Sequence, residues 1–194
     1  MSSAYWRINP VSIIGAAIAL ISVILPWWGI YRIFGTSATQ FARWALYNPP
    51  GTLALRHLGQ PEQVSASTIS QTFTVSSLLV LTLALVVAAL ALAGGLTLLR
   101  KYLVAGIALS ILTLAGYAIT IAYLTSNYCI LSPLCASGPI GTATIFGTTF
   151  TWGFETGFYF FLVALVVLAL SLVLNNSLAR TNQQTTKLPA SQSS

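Results

Sequence analysis

Acidic side chains are almost absent from this chain. Two glutamates, Glu62 and Glu155, stand against eight lysines and arginines in 194 residues, and charged residues of both signs make up 5%. An average soluble domain carries about 25%, so this fraction is too small to cover a water-facing surface. The surplus of +6 reflects missing acids more than a basic patch, and no run of Lys or Arg exists that would track nucleic acid. Histidine is nearly absent too: the single His57 cannot supply the axial pair of a bis-histidine haem, and no acid or nucleophile flanks it to make a general base. With only two cysteines and few, distant acids, no metal site is expected. Serines and threonines are plentiful, but no nucleophile elbow accompanies them, and neither terminus carries a lipidation motif. The expectation is a non-enzyme without cofactor, metal or nucleic-acid partner.

What the chain does have is apolar length. Four runs stand out, about residues 9–30, 73–99, 102–125 and 154–174, and Glu155 is the one acidic or basic residue inside them. A hydrocarbon core of about 30 Å needs roughly 20 apolar residues in helical form, and each run is long enough. Backbone polar groups in lipid must be satisfied within the segment, and these runs are continuous rather than alternating, so helices are expected rather than a barrel. The fold class is therefore read as all-α, an integral membrane four-helix bundle in one domain over residues 1–179. Two extracytoplasmic loops, 31–72 and 126–153, and a disordered cytoplasmic tail, 180–194, complete it.

The basic residues set the expected orientation. Arg7, Arg100, Lys101, Arg180 and Lys187 fall on one side of the spans, and Arg32, Arg43 and Arg56 on the other over a much longer stretch. The positive-inside rule then puts both termini in the cytoplasm of a multi-pass cell-membrane protein. The first run resembles a signal peptide, but Pro26-Trp27-Trp28 follows it where a peptidase prefers small residues, so it is read as an uncleaved helix.

Small residues recur at helical spacing within the spans: Gly15 and Ala19 in the first, Ala84 and Ala88 in the second, Gly106, Ser110 and Gly116 in the third. Such faces let helices approach closely. Thr82, Thr113, Tyr117, Thr120 and Ser171 join Ser110 as intramembrane polar groups, which more often bond their own backbone or a neighbour than line a path. Trp27, Trp28, Trp44 and Trp152 sit near expected span ends or in the loops, where amphipathic rings serve as interfacial anchors to membrane lipids.

In the first loop, Phe41, Trp44 and Ala45 share a face if Thr39 to Tyr47 is helical, which predicts an interfacial helix before the break at Asn48-Pro49-Pro50-Gly51. The loop either caps the bundle or docks a partner. Gln63 to Gln71, rich in Ser and Thr, reads as a flexible approach to the second span. In the second loop, Cys129 and Cys135 flank Pro133 and suit a small disulfide clip, with a redox pair as the alternative. Thr142 to Thr151 alternates β-branched and aromatic residues between Gly141 and Gly153, which predicts a short hairpin or irregular strand. Glu155 needs a partner or water at the membrane edge, and Arg32 at similar depth makes an interfacial ion pair the leading reading, a proton or cation site the other.

The order of parts, four spans with a long first outer loop, a tight inner turn and a second outer loop, is similar to that of claudins and tetraspanins. The resemblance is one of topology. The first loop has no claudin-type cysteine pair, Trp27-Trp28-Gly29 does not reproduce the claudin loop motif, and the tetraspanin cysteine-glycine signature is missing, so no residue role is carried over. The functional expectation is an accessory or scaffold subunit of a larger membrane complex, working through other membrane subunits or self-association. A passive channel or carrier for a small neutral solute is the alternative, and a membrane thiol oxidoreductase using Cys129 and Cys135 the third reading.

Overall fold

The computed structural model describes residues 8–34, 37–46, 63–127 and 138–185. In chain order these form helix α1 (Pro10–Ile24), strands β1 (Pro26–Phe34) and β2 (Ser37–Ala45), helices α2 (Gln63–Thr97) and α3 (Arg100–Asn127), strands β3 (Gly141–Ile145) and β4 (Thr148–Phe154), and helix α4 (Thr156–Thr185). The four helices pack in a ring, α1 against α2 and α4, and α3 against α2 and α4. The strands form one antiparallel sheet of order β2-β1-β4-β3 at the end where α1 stops and α4 starts.

Three helices are long and apolar enough to cross a membrane, over Thr74–Thr97, Arg100–Ser126 and Thr156–Asn175. Lys101 and Arg100 open α3 directly after Leu98 and Leu99, so α2 and α3 are antiparallel neighbours joined by a tight turn.

Three expectations need correction. The first run is not one span: α1 stops at Ile24 after 15 residues. Pro26 offers no N–H to the helix and disfavours helical backbone in the residue before it, and Leu25 accordingly adopts φ −85°, ψ 155°. Pro26 to Ile30 then belong to β1, and the chain is not all-α. The interfacial helix expected over Thr39 to Tyr47 is strand β2, paired with β1 from Phe34↔Ser37 to Pro26↔Ala45. A nine-residue helix is marginal on its own, whereas the neighbouring strand supplies a full ladder of backbone partners. At the ends of the helices, α2 begins at Gln63 and α4 runs to Thr185, so the stretch expected to be a flexible approach and residues Arg180–Thr185 of the expected tail are helical. Propagation from an established helix adds one hydrogen bond per residue, which Ser, Thr and Gln tolerate.

The hairpin expected between the third and fourth apolar runs is present. Ile145 pairs with Thr148 across the two-residue turn Phe146-Gly147. Both turn residues have positive φ, 48° and 75°, the signature of the type I′ turn that matches strand twist.

Candidate functional site

Two buried clusters tie the elements together, one at each end of the helices. At the sheet end, β4 passes into α4 through a single residue, Glu155. Its backbone N–H donates to the Trp27 carbonyl (3.0 Å), and its own carbonyl accepts from the Tyr159 N–H (3.3 Å). Trp27 is fully buried and its indole donates to the Ser22 carbonyl in the last turn of α1 (2.8 Å). Around it lie Tyr117 edge-on (centroids 5.1 Å apart), Phe158 edge-on (5.9 Å) and Phe161 tilted (5.4 Å), while Phe154 stacks on Phe158 at 4.2 Å. The first strand, the third helix and the fourth helix thus share one aromatic core. Gly157 makes the approach possible, because a Cβ there would stand 2.5 Å from Trp27 Cδ1 and 2.7 Å from the Leu25 carbonyl oxygen.

Trp28, Trp44 and Trp152 hold the sheet. Trp28 stacks on Trp44 (4.9 Å, interplanar 17°), and Trp28 and Trp152 send their indole N–H groups to the carbonyls of Pro139 (2.8 Å) and Gly138 (3.0 Å). Two indoles therefore clamp successive carbonyls of the segment that leads into β3. Trp27, Trp28, Trp44 and Trp152, expected as interfacial anchors near span ends or in the loops, are all buried.

At the opposite end a polar cluster joins α1, α2 and α4. Asn9 caps α1, its side-chain oxygen accepting from the Ser12 N–H (3.4 Å), with Pro10 at the first helical position. The Asn9 amide donates to the Ser171 carbonyl (3.0 Å) and hydroxyl (3.1 Å), its backbone N–H donates to the Gly95 carbonyl (2.8 Å), and the Ser12 hydroxyl donates to the Ala91 carbonyl. Asn175 donates to the carbonyl of Leu98 (3.0 Å), a residue held at φ 55°, while its own Oδ1 is buried without a hydrogen-bond partner. Gly95 admits the α1 terminus, since a Cβ there would meet the Asn9 carbonyl oxygen at 3.1 Å.

Comparison with known protein families, with curated proteins and with solved structures finds no match.

Of the small residues singled out for close packing, Gly15 meets Leu168 and Val167 of α4, and Ala19, Ala84, Ala88 and Ser110 are buried. Gly106 has only Leu90 within reach of an added Cβ, and Gly116 faces open space. The hydroxyls of Thr82, Ser110, Thr113 and Thr120 return to carbonyls four residues back, those of Leu78, Gly106, Leu109 and Gly116, and the Thr120 oxygen also accepts from the Ser76 hydroxyl of α2 (3.1 Å).

Arg32 pairs across the sheet with Phe150, whereas Glu155 follows Phe154, the partner of Trp28. Their backbones are thus about five strand residues, roughly 16 Å, apart. Cys129 and Cys135 lie outside the described residues, as does His57. Among the described residues, no three His, Cys, Asp or Glu side chains gather to hold a metal.

The polar cluster around Asn9 was not singled out from the sequence. Asn9-Pro10 at the start of an apolar run is a helix-start signature, and Ser171 and Asn175 lie four apart on the face of α4 that meets it. Those signals locate a cap, but the pairing partner 162 positions away emerges only from the fold.

Proposed function

We propose that this chain is a non-catalytic integral membrane protein that serves as an accessory or scaffold subunit of a larger membrane complex. One observation carries the reading: a four-stranded sheet is fixed rigidly to the end of an apolar helix ring, through the Glu155 to Trp27 hydrogen bond and the aromatic core around Trp27. A rigid platform on membrane-spanning helices is built to present a surface. Inside the ring, the Asn9 amide and the Ser12 hydroxyl bond from one helix to another, which also fits a structural role.

In this reading α2, α3 and α4 span the bilayer, α1 completes the four-helix membrane domain, and the sheet lies on the extracytoplasmic side. The basic residues Arg100 and Lys101 then mark the cytoplasmic face, together with both termini. Partners are lipids and other membrane subunits.

The test is extraction from native membranes in mild detergent, followed by chemical cross-linking and mass spectrometry. Foreign subunits in stoichiometric amount support the scaffold reading. Their absence, with solute flux through the purified chain in liposomes, overturns it in favour of a passive channel or carrier.

A further inference from the structure

Strand β3 is a sheet edge: among the described residues its one neighbour is β4. Natural edges are usually blunted by charge, proline, bulges or cover. The stretch Gly141-Thr142-Ala143-Thr144-Ile145 has no charge and no proline, and its ladder with β4 runs without a register shift. At the other edge, β2 contains Arg43, and the β1 and β2 ladder is interrupted twice. Thr142 and Thr144 are exposed, and among the described residues no strand pairs with the outer edge of β3.

Two apolar side chains flank this edge. Among the described residues, exposed large hydrophobics away from the helices and the α2–α3 turn are Ile140, 60% exposed, and Phe146, 97% exposed. Phe146 also sits at φ 48°, a conformation that bulky residues rarely adopt and that glycine or asparagine fills in most such turns. The fold thus holds an aromatic ring out in solvent at a conformational cost.

We propose that β3 is a homotypic docking edge: two copies of this chain pair their β3 strands antiparallel about Ala143, setting Phe146 of each against Ile140 of the other. The hydrogen-bond parity fits. Because Ile145 and Thr148 close a two-residue turn, Gly141, Ala143 and Ile145 direct their backbone groups to β4, and Thr142 and Thr144 direct theirs outward. About Ala143, Thr142 faces Thr144 of the second copy, outward group against outward group, in both halves of the pair. Ala143 itself falls at the non-hydrogen-bonded position on the two-fold axis, where Cα atoms approach to about 4.5 Å and a small side chain suits.

The register is selected by the flanking residues. A shift of one residue sets inward groups against outward ones. Moving the axis to Thr142 or Thr144 keeps parity but leaves Phe146 opposite Gly138 or Thr142. Only the axis at Ala143 brings both exposed hydrophobics together. An edge of five residues buries less than the roughly 1,200 Å² of a stable soluble complex, so the pairing is a reversible contact. This inference stands apart from the scaffold reading: foreign subunits in a membrane extract decide one, and the β3 register decides the other.

The experiment uses the full chain in mild-detergent micelles, with Cys129→Ser and Cys135→Ser and either Thr142→Cys or Thr144→Cys. On gentle oxidation, a mixture of the two variants should yield at least fivefold more disulfide-linked dimer than either alone, because Thr142 faces Thr144 and not itself. Adding Phe146→Gly to both should cut that yield severalfold while leaving the melting temperature unchanged or higher. Equal yields in mixture and single variants, or indifference to Phe146→Gly, overturn the proposal. A second measurement keeps the native cysteines and places a photo-reactive benzophenone amino acid at position 146. Its adduct should map to Ile140 or its immediate neighbours in a second copy, and adducts only within the same chain or with detergent overturn the pairing.

Discussion

The N–H of Glu155 donates to the carbonyl of Trp27 across 3.0 Å, and that bond closes the corner where two strands become two helices. β1 leaves α1 and β4 enters α4 at this corner, so sheet and helices are registered by backbone contact as well as by side chains. Trp27 fills the corner from within and leaves no room for a side chain on Gly157.

Replacing Gly157 with alanine should therefore be costly. The added Cβ meets Trp27 Cδ1 at 2.5 Å and two main-chain oxygens, of Leu25 and Pro26, at 2.7 and 2.8 Å. Backbone cannot step aside as a flexible side chain does, so a loss of about 2 to 3 kcal/mol is expected. Thermal unfolding in detergent, followed by tryptophan fluorescence, would show it. Gly116→Ala, with open space around it, should leave the transition within about 0.5 kcal/mol.

Asn9 and Ser171 should be energetically coupled. A double-mutant cycle of Asn9→Ala and Ser171→Ala removes the 3.1 Å side-chain bond between α1 and α4. Couplings of this kind in membrane helices average about 0.6 kcal/mol and reach about 1.7. Asn9→Ala alone should cost more, about 1 to 2 kcal/mol, because it also removes the cap of α1. Ser110→Ala, which loses only a bond to its own helix, should be nearly silent.

The indole clamp on residues 138–140 can be opened one bond at a time. Trp28→Phe and Trp152→Phe each keep an aromatic ring and lose a donor, at 2.8 Å to Pro139 and 3.0 Å to Gly138. Each should cost about 1 kcal/mol, since the freed carbonyl lies close to water. Faster limited proteolysis around Gly138 is the expected readout. Trp28→Ala also removes a buried ring stacked on Trp44, and about 3 to 5 kcal/mol should be lost.

Phe146→Asn should stabilise the hairpin. It puts Asn-Gly at a turn whose central residues both have positive φ, and the relief is about 1 kcal/mol, measured as a rise in melting temperature of a few degrees.

The helices and the second hairpin were legible because their signals are local. Runs such as Phe73 to Leu99 are long enough to need no arbitration, and Thr144, Ile145, Phe146 and Thr148 announce a strand and turn by alternation between glycines. β1 and β2 were not legible, for a shared reason. Pro26 to Ile30 is as apolar as the helix before it, so composition reads it as more span, and only the pairing of Trp28 with Trp44 and Phe154 shows it to be a strand buried between neighbours. In β2, Phe41, Trp44 and Ala45 fit a helical face by spacing alone, and the competing partner strand leaves no mark at those positions. The tryptophans show the same limit, since an amphipathic ring suits both a membrane interface and a buried corner with a carbonyl acceptor.

The shortness of α1 bears on where such a protein can reside. Its 15 residues rise about 22 Å, against a hydrocarbon thickness of about 30 Å, whereas α2, α3 and α4 exceed that thickness. The exposed side chains of Ile14, Leu20, Ile21 and Ile24 make a shallower apolar wall than the longer helices on the opposite flank. Were α1 to lie in the bilayer with the other three helices, as proposed above, the bilayer would have to thin on that side or the ring to tilt, at a cost that grows with thickness. On that placement, hydrophobic mismatch at one helix would favour thin membranes over thick ones, an address carried in the depth of the fold.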